Sequence, residues 1–329
     1  MLQYLTILLD DQSTSFCHYE PNANSSRFIS LETLRQGIFF AMKWNLMVQY
    51  VYPDCHVPDS IKEELETIDN VKIIPSKSPL VQFADIVVIN GMAELKKIVL
   101  EQSKVYVLRT SKDDFFRHYR IIMPTVTRVS RLNICITDVH SFTDKDLSKY
   151  RQTLRIISKD VITSLQHDVH SQLNILTDCL QLSDMNNCNA GSNCLTLAPD
   201  GRFYVCPAFY YEKKCDGNMK YGISSEHPFS VGSLESGLNI GNAHLYKIDS
   251  APLCRICDAY QCRRCVWLNH KMTYEMNIPS RQQCIMAHIE RNESRQVLNS
   301  VREMLPDFMS DREIPEIDYL DPFDVRQKW

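Results

Sequence analysis

Cys254-Arg255-Ile256-Cys257-Asp258-Ala259-Tyr260-Gln261-Cys262-Arg263-Arg264-Cys265 sets four thiols in two CxxC pairs separated by four residues. Two cysteines at this spacing reach one metal centre because the backbone between them turns tightly, and partners further along the chain close the site. Four such partners are present. Upstream, Cys188-Asn189-Ala190-Gly191-Ser192-Asn193-Cys194 leads into Leu195 to Leu197, then Pro199-Asp200-Gly201, then Phe203 to Val205 and Cys206; downstream lies Cys284. The Pro-Asp-Gly turn predicts a hairpin that presents Cys194 and Cys206 from its two ends. Eight thiols make two sets of four.

Composition favours metal over disulfides. The chain has 329 residues, 44% of them hydrophobic, and a formal charge of −4 with both signs mixed along it. That length supports a sizeable core divided into domains, and no basic footprint for phosphate is present, so nucleic acid is not expected as a partner. The N-terminus from Met1 to Asp11 has no basic region, long apolar stretch and cleavage site in series, and no apolar run reaches membrane-spanning length. The expectation is a cytoplasmic protein without membrane contact. Thiols stay reduced there, and nine of the thirteen cysteines fall between Cys188 and Cys284. Zinc in four-thiolate sites is the alternative metal, which the CxxC pairs alone do not separate from iron.

The first half reads as α/β. Apolar β-rich runs at Tyr4 to Leu9, Leu46 to Tyr52, Val71 to Ile74, Ile86 to Ile89, Val105 to Leu108 and Leu132 to Ile136 alternate with helical patterns. Short continuous apolar strands between helices point to a parallel sheet covered on both faces, as in a Rossmann-like sheet or a partial barrel. Ser30 is placed to cap a helix with Leu31, Leu34, Ile38 and Met42 on one face, and Ser60 with Glu63 reads as a capping box. A long helix through Leu147, Tyr150, Leu154, Ile157 and Val161 closes this part, and a last helix follows the Ser280 and Gln283 box, with Cys284 in its first turn. Residues 186 to 279 read as loops organised around metal. From Pro306 to Trp329, seven acids and three prolines predict an extended tail, in which Ile314, Ile317, Tyr319, Leu320, Phe323 and Trp329 could anchor a partner.

The order CxxxxxC, GxxxxC, CxxC, a further cysteine pair and a last cysteine resembles the SPASM domain that follows the barrel in many radical SAM peptide-modifying enzymes. The resemblance covers about residues 186 to 290 and all eight ligand positions. It implies two 4Fe-4S clusters, the first on Cys188, Cys194, Cys206 and Cys265, the second on Cys254, Cys257, Cys262 and Cys284. The gaps of four and two residues after Cys257 are shorter than the family's usual five and three, which bears on how Cys262 and Cys265 are shared. Arg255, Arg263, Arg264, Lys213 and Lys214 are near enough in sequence to offset cluster charge. Cys215 and Cys179 read as an ordinary loop thiol and a core thiol.

A radical SAM domain carries CxxxCxxC after its first strand and a Gly-Gly-Glu segment after its second. Here the first loop reads Ser15-Phe16-Cys17-His18-Tyr19-Glu20-Pro21-Asn22-Ala23-Asn24, with Pro21 and Asn24 where further cysteines would stand, and the second reads Tyr50-Val51-Tyr52-Pro53-Asp54-Cys55-His56. Cys17, His18, Cys55 and His56 all follow expected strands, so an unconventional metal site there is a minor alternative. The whole chain is also similar to the CXXX-repeat peptide maturase family, through Leu8-Leu9-Asp10-Asp11 and the Ser15 to Tyr19 segment. These resemblances imply a degenerate radical SAM-like partial (β/α) barrel over residues 1–180, a SPASM-like iron-sulfur domain over 181–305 with a C-terminal helix, and an extended acidic tail over 306–329.

The implied role is that of a noncatalytic auxiliary subunit. It would serve an intact radical SAM peptide maturase that crosslinks a cysteine-rich ribosomal precursor peptide, in a thioether-type modification, with no S-adenosylmethionine site of its own. A stand-alone iron-sulfur peptide-modifying enzyme and a zinc-stabilised interaction module are the competing readings.

Overall fold

The computed structural model describes residues 2–21, 26–167, 172–212, 227–316 and 321–322. In chain order these form β1 (Tyr4–Leu8), α1 (Leu31–Lys43), β2 (Met47–Val51), α2 (Asp59–Leu65), β3 (Asn70–Pro75), β4 (Ile86–Asn90), α3 (Met92–Leu95) and β5 (Val105–Thr110). Next come α4 (Lys112–His118), α5 (Ile122–Val126), β6 (Arg131–Ile136), α6 (Asp144–Gln166), β7 (Gln172–Leu173) and α7 (Asp178–Gln181). The remainder comprises β8 (Cys194–Leu197), β9 (Arg202–Tyr204), α8 (Pro207–Tyr211), β10 (Ser230–Ser233), β11 (Gly237–Leu238), α9 (Val266–Thr273) and α10 (Arg281–Arg302). Two compact units result, each from two stretches: residues 1–88 with 189–250, and residues 89–188 with 251–329.

In the first unit β1 pairs in parallel with both β2 and β8, and β2, β3 and β4 continue the parallel run. Burial of Leu5, Ile7 and Leu8 on adjacent positions of β1 shows that both faces of this strand are covered, as parallel sheets require. β8 and β9 form the expected hairpin, with Thr196 opposite Tyr204 and Leu197 opposite Phe203, and Gly201 takes the left-handed turn position at φ +76°. The Ser30 hydroxyl accepts from the Thr33 amide at 3.0 Å and starts α1 as expected. Met42 does not follow the apolar stripe. It is 64% exposed, because the 3.6-residue repeat carries the buried face from Leu34 and Ile38 to Ala41 instead. Ser60 makes no cap: α2 begins after Pro58 with no side-chain cap bond, so Ser60 lies inside the helix.

The second unit carries the parallel strands β5, β6 and β7. Thr143 closes a capping box with Asp146 at the start of α6, a signal the apolar pattern alone did not reveal. Ser280 caps α10, accepting from the Gln283 amide at 3.2 Å, but the Gln283 side chain donates to the Arg263 carbonyl at 3.3 Å, so the expected box stays open on that side. α10 lies along α6, where the Tyr150 hydroxyl donates to Glu290 Oε1 at 2.6 Å and Arg155 Nε donates to Glu293 Oε1 at 3.2 Å.

The described part of the tail folds back on this unit. Arg312 donates to the Cys179 carbonyl at 2.6 Å and covers the Tyr260 ring at 5.2 Å, while Ile314 is buried. The tail residues Ile317, Tyr319, Leu320, Phe323 and Trp329 lie outside the described residues. No helix among the described residues is long and apolar enough to cross a membrane.

Glu290 gives this packing a pH dependence. Burial pushes its carboxyl up to about 7, against the opposing effect of hydrogen bonds from Tyr150 and Gln261, and the Asp178 charge adds to the rise. The folded chain therefore holds this proton to near neutrality, whereas the unfolded chain releases it near 4.5. The stabilisation is whole below that lower value and is lost as pH rises through about 7. Stability between about pH 5 and 8 should fall with a contribution from this group on the order of 3 kcal/mol, read as falling melting midpoints, and Glu290→Gln should flatten that part of the profile. An unchanged slope in the variant would assign the dependence elsewhere.

Candidate metal centre

The second unit gathers six of the eight predicted ligands. Cys254 and Cys257 stand on a turn in which the Cys257 amide donates to the Cys254 carbonyl at 3.2 Å. Cys262 follows a turn of its own, its amide donating to the Ala259 carbonyl at 2.9 Å, and Cys284 sits in the first turn of α10. These four thiols share one neighbourhood. Desolvation pushes the Cys262 thiol well up, and Cys284, Cys257 and Cys254 each add to the rise. Cys284 is raised in the same way by burial, then by Cys254 and Cys257. They are the set assigned by resemblance to the second cluster.

Cys265 caps α9, its Sγ accepting the Leu268 amide at 3.5 Å. Burial pushes its thiol up to about 12, and Cys188 is the first thiol to add to that. In the first unit, Cys194 opens β8 with its Sγ 3.6 Å from Thr6 Oγ1, and Cys206 is the residue before Pro207 at the start of α8. Between Cys188 and Cys194 the loop turns through Gly191 at φ +75°, where a Cβ would meet the Tyr246 ring at 2.7 Å. Only glycine fits that turn, and the buried Tyr246 phenol is raised by desolvation and then by Cys206, which sets the ring beside that ligand position.

Two side chains around these thiols, His288 and Arg291, were not expected from the sequence, and a third, Arg264, was expected only as one of several nearby cations. His288, one turn beyond Cys284 on α10 and 5% exposed, places Nε2 3.6 Å from Cys257 Sγ. Arg291 is fully buried and grips Asp258 through Nε to Oδ1 at 2.8 Å and Nη2 to Oδ2 at 2.5 Å, so α10 holds the residue next to Cys257. Arg264, 1% exposed, donates through Nε to Asn187 Oδ1 at 3.0 Å, one residue before Cys188. Of the other suggested cations, Arg255 and Arg263 are exposed, and Lys213 and Lys214, like Cys215, lie outside the described residues.

This donor set fits an iron-sulfur cluster. The thiols are soft ligands, Cys254 buried, Cys188 exposed and the other six half-buried, with a buried guanidinium and a histidine ring nitrogen close by, and both would lower the energy of an anionic centre. Among the described residues, no three His, Cys, Asp or Glu side chains are drawn together as a group that could hold a metal ion. By the same measure neither Cys17, His18, Cys55 and His56 nor the eight cysteines from Cys188 to Cys284 stand as a closed ligand group in this structure.

The end of β1 has another character. Asp10 and Asp11 are both buried, the Tyr210 hydroxyl donates to Asp11, and Arg27 donates to the Tyr210 oxygen at 3.2 Å. Tyr19 stacks on Tyr211 at 5.5 Å, with Phe16 against Tyr19 at 6.2 Å and Tyr210 against Tyr211 at 5.1 Å. A polar and aromatic cluster thus packs the loop whose sole cysteine is Cys17; Asn24 of that loop lies outside the described residues.

No family model and no curated protein matches the chain. Solved structures do. A polyhistidine-tagged anSMEcpe with bound AdoMet, an anaerobic sulfatase-maturating radical SAM enzyme with a SPASM domain, aligns over 95% of this chain and 99% of its own at 10% identity, with a TM-score of 0.58. Native anSMEcpe with bound AdoMet and the Kp18Cys peptide aligns over 94% and 98% at 10% identity, with a TM-score of 0.54. Its complex with the Cp18Cys peptide gives 94%, 98%, 10% and 0.55 for the same measures. At this identity the likeness is one of architecture, and the chain has the α/β fold of radical SAM/SPASM proteins.

Proposed function

We propose that the chain is the cluster-bearing auxiliary subunit of a radical SAM peptide-maturation complex, with two 4Fe-4S clusters held by the eight cysteines. The observation that supports this reading is that Cys254, Cys257, Cys262 and Cys284, the first buried and the others half-buried, lie near enough to raise one another's thiols. The fold adds support, since the similar structures are maturases that bind AdoMet and, in two cases, a peptide. The loop after β1 offers Cys17 alone where a radical-generating cluster needs three cysteines. Bound four-iron clusters supply one-electron transfer. The chain's own residues hold the thiols in position through the turns at Cys254 and Cys262, cap α9 with Cys265, and exclude water by burying Cys254, Ala259 and Val266.

On this reading the substrate is a cysteine-rich ribosomal precursor peptide, and the radical is generated by an intact partner, as the likeness to CXXX-repeat peptide maturases implies. The test has two arms. The isolated, reconstituted chain should form no 5′-deoxyadenosine from S-adenosylmethionine under strong reductant, and co-expression with an intact radical SAM protein should give a complex that co-elutes in size exclusion. Deoxyadenosine above a cluster-free control would make the chain an enzyme in its own right. Separate elution at micromolar concentration, with and without precursor peptide, would remove the partner role.

A further inference from the structure

Arg264 is an expensive residue to bury. A guanidinium stays protonated in proteins, and withdrawing it from water is costly unless compensating charge or hydrogen bonds meet it. Two of its hydrogen bonds reach Asn187 Oδ1 at 3.0 Å and the Met276 carbonyl at 3.5 Å. After burial itself, the leading electrostatic influences on it are thiols, namely Cys254, Cys188, Cys262 and Cys265. These four do not belong to one predicted cluster. Cys188 and Cys265 come from the first set, Cys254 and Cys262 from the second.

The backbone explains how one side chain reaches both. Arg264 sits inside the Cys262 to Cys265 pair, which the assignment divides between the clusters, and its bond to Asn187 ties that loop to the segment that ends in Cys188. A second tie runs alongside, with the Asn186 amide donating to the Tyr260 carbonyl at 2.8 Å. Arg263, next to it, is exposed and has no comparable place.

We infer that Arg264 is a shared counter-charge of both clusters, a fixed buried cation that sets their two reduction potentials together. The inference rests on the two-cluster reading above. A cluster gains negative charge on reduction, so a nearby positive charge makes reduction easier and raises the potential. One cation serving two anionic centres links their energetics: removing it makes both harder to reduce, whereas a cation serving one would move one.

The test is a redox titration of the anaerobically prepared full chain, followed by electron paramagnetic resonance, for the wild type, Arg264→Gln, Arg264→Lys and Arg263→Gln. The expected result is that Arg264→Gln shifts both midpoints to more negative values, Arg264→Lys keeps both near the wild type, and Arg263→Gln leaves both in place. A shift of one midpoint only, or of neither, overturns the inference. If Arg264→Gln fails to take up iron, Arg264→Lys decides: two loaded clusters at near wild-type potentials support the charge role, and loss of iron there too assigns Arg264 to packing and overturns it. A wild type without two four-iron clusters would instead defeat the reading on which the inference stands.

Discussion

Replacing Cys257 by Ala should cost the anaerobically prepared chain about half of its iron and its acid-labile sulfide, because one of two four-iron clusters loses a ligand. Cys257 is the most informative of the eight to change. Its thiol lies in the neighbourhood shared with Cys254, Cys262 and Cys284, and His288 approaches its sulfur at 3.6 Å. The loss should also destabilise the second unit, since ligands gathered from residues 254 to 284 leave loops whose order depends on what they bind. Unchanged iron would strike Cys257 from the ligand set; complete loss would mean that the sets do not load independently.

The second large effect concerns Asp258, whose carboxylate is the ionic partner of a fully buried guanidinium. Arg291 is 0% exposed and meets Asp258 in a two-pronged contact. Asp258→Ala would strand that charge in the interior, near the buried Cys179, with the neutral Asn292 Oδ1 still accepting from Nη1 at 2.9 Å. Breaking a buried pair from one side costs about 3–5 kcal/mol, far more than the pair's net worth. Denaturant unfolding should show a loss of that order, and Arg291→Met with Asp258→Ala together should recover part of it, since the stranded charge is then gone. A single variant within about 1 kcal/mol of the wild type would show that Arg291 finds another acceptor.

Much of the architecture was legible because its signals are local. Each of the six strands read in the first half forms within a residue or two of the expected bounds, since short apolar runs between capped helices leave few alternatives. The Asp200-Gly201 turn likewise announces the hairpin of β8 and β9. The parallel pairing of β8 with β1 was not legible, because it joins segments far apart in the chain and no local pattern encodes that partner. The two compact units are interleaved in the chain for the same topological reason.

Cap chemistry failed where composition mimicked it. Ser60 and Glu63 have the spacing of a capping box, yet Pro58 already fixes the chain for helix entry, and the helix starts ahead of the serine. At the site, the cysteines were legible by residue type and spacing. The groups that condition them were not. Arg264 reads as one of several arginines until its burial is seen, and His288 carried a weak signal, four residues after Cys284 on the same helix face. Gly191 could have been flagged from its place inside a ligand loop, but the reason for it, the Tyr246 ring at 2.7 Å from a Cβ, is tertiary.

What the eight cysteines bind decides the central claim, and metal and sulfide analysis of the anaerobically purified chain measures it directly. Two cubane clusters predict about eight irons and a matching number of acid-labile sulfides per chain, in a brown protein whose absorption bleaches on reduction. Stoichiometric zinc without sulfide would contradict it.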